Sequence, residues 1–415
     1  MSHNFEVPYE ADFHPDVDGL ADALARLVAA RSATGEPHVD PNRNLELPRV
    51  LPEEGLGGRG ALDLLAGPAL EQVSRLDHRG FLAHMDPPTP WPTWAAAQWG
   101  AAVNQNLLHP DTGPAARQLE PLVISWLAPA FGMDGGHLVP GSTVANLTAL
   151  WAARDLTGAC RVVTSTAAHL SVAKAAHLLG LELVEVPVDD RQRMRADLLP
   201  DDLTRSVVVL TAGTVTTGAV DPLEAGDGAA WRHVDAAWAG PLRLSAHAGI
   251  LAGIETADSV AVSAHKWLYQ PKESALVFFS DSDTAHRALS FGGSYLAAPN
   301  VGLLGSHGNA ALPLAVTLLS WGRSGVAGRI EADMATAELF ARLVEDHVVL
   351  ELWGQPVTGV VNWRPAARDP AEVRGRLTDA WISLADIAGT PWYRSVVANP
   401  LADPQHVIDR VIDAL

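Results

Sequence analysis

One lysine in this sequence stands where its amine could act as a nucleophile. The segment Ser259–Trp267, SVAVSAHKW, runs apolar and β-rich and then delivers His265 and Lys266. An amine at the end of a buried strand loses solvation, so its pKa falls and its neutral form becomes accessible for Schiff-base chemistry. The plainer alternative is a lysine that merely opens the solvated stretch after a strand. Thirty-one positions upstream, WRHVDAAWAG (Trp231–Gly240) ends another short run in Asp235. Small residues follow, Ala237 among them, and these admit the close approach of another group. A carboxylate there can hold a heterocyclic nitrogen protonated through a charge-assisted hydrogen bond, or it can cap the next turn. The spacing matches one strand–helix–strand crossover, so Asp235 and Lys266 can face one ligand from neighbouring strand ends.

Three further segments could complete such a site. In HLVPGSTVANLTALWAARD (His137–Asp155), Gly141, Ser142 and Thr143 open a helix whose free N–H groups and dipole suit a phosphate, or form a plain N-cap. In Ala167–Ser171, AAHLS, the flat imidazole of His169 could stack on an aromatic group or cap the helix. In LTAGTVTTGAVD (Leu210–Asp221), Thr214 lies in a hydroxyl- and Gly-rich loop that could line a polar ligand edge or be an ordinary turn.

The elements that must position these residues alternate. Helix Val144–Leu156 leads to the run Cys160–Thr164, and helix His169–Leu179 leads to Leu183–Val188. The runs Ser206–Ala212, His233–Asp235, Ser259–Ser263 and Ala275–Phe279 follow. Short β-rich runs between helices predict an α/β domain with a mostly parallel sheet covered on both faces, whose ligands lie beyond the carboxyl ends of the strands. Ahead of it come helices over Asp18–Arg31 and Ala61–Arg75, separated by a Pro- and Gly-rich loop. Within that loop Gly55–Gly60 matches GxGxxG, but no strand precedes it, so it reads as a turn before the second helix. A helical stretch over Ala310–Glu345 and a final helix over Pro404–Leu415 close the chain.

Composition narrows the partners. The 415 residues carry 29 Lys and Arg against 48 Asp and Glu, a formal net charge of −19. Such a molecule repels phosphate backbones and anionic lipid, so neither nucleic acid nor a membrane surface is expected as a partner. A single cysteine, Cys160, excludes an internal disulfide and a cysteine metal cluster and suits a reducing cytosol; no metal site is expected. The acidic N-terminal segment has no apolar core, and the longest apolar stretch, Ala310–Trp321, is too short to span a bilayer. A cytoplasmic protein is expected.

Taken in order, the phosphate-type helix start, His169, the Gly/Thr loop, HVDAAW and HK resemble the pyridoxal 5'-phosphate (PLP) enzymes of the aspartate-aminotransferase fold. More narrowly, the set resembles the group II amino-acid decarboxylases, whose members act on glutamate, aromatic amino acids, histidine or diaminobutyrate. The resemblance runs from about Arg75 to Gly325. It implies fold type I: an N-terminal helical arm for dimerisation (1–75), a large PLP-binding domain (76–305) and a small C-terminal α+β domain (306–415). It implies PLP as cofactor, with Lys266 as the aldimine lysine, Asp235 on the pyridine nitrogen and His169 stacked on the ring. Ser142 and Thr143 would hold the phosphate with help from His265, and Thr214 and Ala237 would line the cofactor. Gly305-Ser306 resembles a loop that touches the phosphate of the neighbouring subunit, which implies a homodimer with shared active sites. The segment Phe81–Trp91 resembles the family's substrate-pocket segment and offers His84, Asp86 and Trp91. Trp91, Trp94 and Trp99 either favour an apolar substrate side chain or pack the core, whereas His84 and Asp86 would suit a polar or cationic one. Arg364, in VVNWRP, stands where fold relatives often keep a carboxylate-binding arginine, or is simply a solvated arginine.

The activity implied is decarboxylation of an L-amino acid to its amine and carbon dioxide, through an external aldimine and a quinonoid. Three departures keep alternatives open. Val144 and Val215 replace polar residues, and the link from Phe291 to His307 is short, with Tyr295 its single tyrosine and Gly308-Asn309 where basic residues are usual. Aldehyde-forming oxidative deamination, retro-aldol cleavage, transamination and a non-catalytic paralogue are the alternatives.

Overall fold

The computed structural model describes residues 13–40 and 47–415. Two helices come first, α1 (Val17–Ser32) and α2 (Gly57–Ala66). Asp16 caps α1 by accepting from Gly19 N at 3.0 Å, and Arg59 reaches back to the same carboxylate at 2.7 Å, tying α2 to α1. Gly57, Gly58 and Gly60 of the GxGxxG match lie inside α2, and the residues expected to extend that helix to Arg75 break into a π-helical turn at Gly67–Glu71 containing Pro68. Proline lacks the N–H that would continue the ladder.

After β1 (Phe81–Leu82), α3 (Trp91–Val103) and α4 (Ala116–Leu127), the chain builds the seven-stranded sheet and its helices. Its elements are β2 (Gly135–Val139), α5 (Ser142–Thr157), β3 (Arg161–Ser165), α6 (Leu170–Leu179), β4 (Glu182–Val186), β5 (Ser206–Thr211), β6 (Trp231–Asp235), β7 (Ser259–Ser263) and β8 (Ala275–Phe279). The seven strands lie in the order β2-β8-β7-β6-β5-β3-β4, and β8 alone runs against its neighbours. The mostly parallel sheet is as expected, whereas β2 carries two glycines in five residues and gave no β-rich run to read. Both faces are covered. Val207, Val209 and Ala261 meet α5 and α6 through Ala145, Leu150 and Val172. Val208, Val234 and Val260 meet α4 and the later long helix. Burial on both faces explains why these strands read as continuous apolar runs. Each fully buried Val or Leu contributes about 1.5–3 kcal/mol.

The chain continues through α7 (Ser282–Ala288), the short pair β9 (Ser290–Phe291) and β10 (Asn300–Val301), and α8 (Ala311–Glu345). The long helical stretch is interrupted at Gly322, whose φ of 62° and ψ of 178° no helix contains. The remaining elements are β11 (Leu350–Leu352), β12 (Val360–Pro365), α9 (Pro370–Arg374), β13 (Trp381–Ile387), β14 (Thr390–Val396) and α10 (Pro404–Ala414). They form a second sheet, β1-β13-β14-β12-β11. Phe81 and Leu82 thus belong by hydrogen bonding to this C-terminal sheet, although they precede the seven-stranded sheet in sequence. One face packs on α8 and α10 through Phe340, Trp363, Tyr393 and Val407. On the other, Asn362, Arg394 and Ser383 stand side by side across β12, β14 and β13. Asn362 donates to Thr216 O at 3.1 Å and Arg394 to Val215 O at 3.1 Å, which joins the small sheet to the Gly/Thr loop.

Candidate active site

The parallel register brings the two principal residues together. Asp235, the last residue of β6, pairs with Thr211 on β5 and Ala261 on β7, and Lys266 follows β7 by three residues. Two motif tryptophans lock the loops that carry them. Trp238 and Trp267 stack with ring centroids 4.5 Å apart at 15°. Trp238 Nε1 donates to Thr358 O at 2.7 Å, and Trp267 Nε1 donates to Asp333 on α8 at 2.7 Å. Tyr269 also donates to Asp333, whose pKa burial pushes up to about 6. The aromatic ends of HVDAAW and HKW are therefore packing devices, with the indole N–H satisfied as buried tryptophans require.

Lys266 is half-buried, and desolvation pulls its amine pKa below the usual lysine value. Asp235 and Asp86 act in the opposite sense, and Lys272 and Arg394 add to the depression. Asp235 is 3% exposed and accepts from Asn146 Nδ2 at 2.8 Å and Ala237 N at 3.1 Å. His169 is the N-cap of α6, with its Nδ1 accepting from Ser171 N at 3.2 Å. Desolvation lowers its pKa, and the nearby Asp235 charge counters.

The start of α5 is open. Gly141 has a φ of 96°, a conformation suited to glycine, and among the described residues no side chain caps the helix, so the N–H donors of Ser142 and Thr143 are left for another acceptor. Ser142 meets Ser263 at the tip of β7 through their hydroxyls. His265 lies against this turn, because a Cβ on Gly141 would stand 3.9 Å from His265 Cε1. His265 donates from Nδ1 to Ser274 O at 3.0 Å, and burial pushes its pKa down to about 4.

Several expected residues are engaged differently. Thr214 serves its own loop, accepting from Ala219 N at 3.1 Å beside Thr217 Oγ1. Ser306 accepts from Asn106 Nδ2 at 3.2 Å. His84, with a φ of 58°, donates from its backbone to Ser383 Oγ at 3.0 Å, and its imidazole pKa is lowered by desolvation and by Arg394. Asp86 pairs with Lys272. Trp91 is 70% exposed on α3. Arg364 is held by Glu351 at 2.7 Å and lies over the Trp392 ring at 4.4 Å. The guanidinium whose charge reaches Lys266 and His84 is Arg394, largely desolvated, with its Nε unpartnered. Sequence reasoning passed over Arg394; the signal was a single charge in the apolar alternation of TPWYRSVV. It also passed over Asn146, inside the STVANL segment.

Residues 69–365 match the model of the pyridoxal-dependent decarboxylase conserved domain. The chain belongs to that family. An L-2,4-diaminobutyrate decarboxylase of Rhizobium meliloti (strain 1021) is 32% identical over 412 residues, covering 88% of this chain and 83% of the relative. The fold matches the glutamate decarboxylase domain of a diaminobutyrate-pyruvate transaminase and L-2,4-diaminobutyrate decarboxylase from Vibrio parahaemolyticus, with a TM-score of 0.82 and 22% identity over 99% of this chain and 97% of that one. Mouse CSAD matches with a TM-score of 0.85 and 21% identity over 96% of this chain and 98% of that one.

As a member of this family the chain is a PLP-dependent amino-acid decarboxylase, a carboxy-lyase of fold type I. Its residues fit the cofactor on their own chemistry. An uncapped helix start suits a phosphate, a desolvated lysine suits an aldehyde, and the buried Thr211 hydroxyl beside Asp235 has no hydrogen-bond partner among the described residues. No helix among the described residues is long and apolar enough to cross a membrane.

Proposed function

We propose that Lys266 would hold PLP through its amine, that Asp235 would serve its pyridine nitrogen and that His169 would serve its ring face, with Ala237 and Thr214 lining the same site. The open start of α5 at Gly141, Ser142 and Thr143 receives the phosphate. His265 stands next to it, with its Nδ1–H committed to Ser274 O. When bound, the cofactor supplies an electron sink for the pair released as carbon dioxide leaves. Asp235 would serve as the hydrogen-bond partner of the ring nitrogen, and the two N–H donors on its carboxylate orient it for that contact. Desolvation disfavours the charged form of Lys266 and so favours its nucleophilic amine. Arg394 takes the role expected of Arg364 and receives a carboxylate of the substrate, while His84 and Asp86 meet its side chain.

The observation that carries this reading is the convergence of Asp235 and Lys266 from adjacent parallel strands. The decisive experiment is Lys266→Ala in the PLP-loaded protein. We expect loss of the yellow absorbance and of carbon dioxide release from a panel of L-amino acids, with the amines identified by mass in the parent. Unchanged turnover would overturn the assignment. Tyr295 is 74% exposed between β9 and β10, which favours one alternative outcome, an aldehyde product with ammonia. The same product analysis separates the two.

We also propose a cytoplasmic homodimer with shared sites. Among the described residues, α1 and α2 bury no side chain, and Leu20, Leu24, Leu62 and Leu65 stay exposed. A partner covering them would also bring Ser306 toward the neighbouring phosphate. Sedimentation at working concentration tests this, and an active monomer would refute it. The cytoplasmic setting is supported by one exposed, unpaired cysteine, Cys160. Fractionation of cells producing the native chain tests it, with activity outside the cytosol the opposing result.

A further inference from the structure

The hydrogen bonds behind Asp235 and His169 form one connected chain whose direction can be worked out. Asn146, fully buried on α5, donates from Nδ2 to Asp235 Oδ2 at 2.8 Å and to Ser171 Oγ at 2.8 Å. Both amide hydrogens are then used, and a carboxylate can only accept, so the amide orientation is fixed. Asn146 Oδ1 must therefore accept, and its neighbour at 3.0 Å is His233 Nε2, which donates. His233 is fully buried and burial pushes its pKa down to about 4, so it is neutral and its Nδ1 is a bare acceptor. Ser259 Oγ–H fills that acceptor at 2.9 Å. Ser259 in turn accepts at 2.8 Å from Trp231 Nε1–H, a group that can only donate.

The other branch of the fork has the same sense. Ser171 Oγ, having accepted from Asn146, turns its own hydrogen toward His169 Nδ1 at 2.8 Å. His169 Nδ1 also accepts from Ser171 N. Two donors on one nitrogen leave the imidazole proton on Nε2.

We propose that Asn146 is a positioning residue that joins Asp235 and His169 in one directional relay, fixing the carboxylate as an acceptor and His169 as its Nε2–H tautomer. The relay starts at the indole of Trp231 and divides at Asn146 toward two groups that hold the same ligand. A donor-only group at its head and a carboxylate at its foot permit no reversal. His169 thus offers a hydrogen-bond donor, not a lone pair, from its free edge. The proposal rests on the cofactor placement above, but its test does not require the cofactor.

Protein freed of PLP and labelled with nitrogen-15 histidine is examined by long-range proton–nitrogen correlation near neutral pH. His169→Gln and His233→Gln assign the signals. Both histidines are expected to be neutral with the proton on Nε2, and an Nδ1–H signal from either overturns the relay. Ser171→Ala should shift the His169 nitrogens and leave those of His233 in place, whereas Asn146→Ala should shift both. Ser171→Ala changes a single hydroxyl and keeps the test open if Asn146→Ala does not fold. Shifts confined to one histidine in Asn146→Ala, or to neither, refute the fork. With PLP restored, Asn146→Ala should lose about ten- to hundredfold in kcat/KM, the value of a hydrogen bond to a charged group, and should alter the pH profile of the yellow band. If Lys266→Ala leaves turnover intact while the tautomers stand, the placement fails and the relay survives.

Discussion

The large sheet offers its chemistry at strand tips, whereas the small sheet offers it from the middle of strands. Asp235 ends β6, His169 follows β3 and Lys266 follows β7, so each is announced by an apolar run that stops. Arg394, Asn362 and Ser383 lie within β14, β12 and β13, where one face packs on Trp363 and Tyr393 and the other turns toward the Gly/Thr loop. A strand tip is marked by local sequence because polarity changes there. A mid-strand face is marked only by alternation, and which face meets the site depends on how the two sheets pack.

Predictions that break or sharpen this comparison can be ranked by effect. The largest concerns the contact joining both regions. Trp238→Ala removes the stack on Trp267 and the bond to Thr358, and should cost about 3–5 kcal/mol in denaturant unfolding. A loss under about 1 kcal/mol would mean that the two motif loops are held independently. Next, Asp235→Ala should lower kcat/KM by about a hundred- to thousandfold with the fold intact by circular dichroism, the scale set by removing one preorganised electrostatic group.

The third prediction concerns pH. His233 is held neutral in the folded protein with a pKa of about 4, against 6.5 when unconstrained. Between these values the unfolded chain binds a proton that the folded chain refuses, so stability falls as pH drops through the window, by about 3 kcal/mol. His233→Gln should flatten that part of the curve, measured by urea unfolding across the window. Fourth, Arg394→Ala should lower kcat/KM by about ten- to hundredfold, the cost of an unpaired buried charge partner. Arg364→Ala should change it by less than about threefold, since its pair with Glu351 is a partly exposed ion pair worth at most about 1 kcal/mol. Equal effects from the two arginines would break the contrast between them.

Legibility followed the same division. The alternating apolar runs gave the strands of the parallel sheet, and helix starts with Gly and Ser gave α5, because burial on two faces leaves a periodic trace. Strand β2 went unread, since Gly135 and Gly136 carry no side-chain pattern. The turn at Gly67–Glu71 was read as helix because its apolar spacing is helical and only Pro68 argues against it. Arg394 carries no local signal beyond that of Arg364, because both sit in β-rich segments and nothing local tells which guanidinium points toward the Gly/Thr loop.

By itself the sequence determined that an amine and a carboxylate would end neighbouring strands, since residue type and spacing dictate parallel crossovers and desolvated tips. Only the tertiary structure decided which arginine faces them, that Phe81 and Leu82 join a sheet about 300 residues downstream in the chain, and that Asn146 connects Asp235 to His169. Those outcomes depend on contacts between segments far apart along the chain, and such contacts leave no mark in the residues on either side of them.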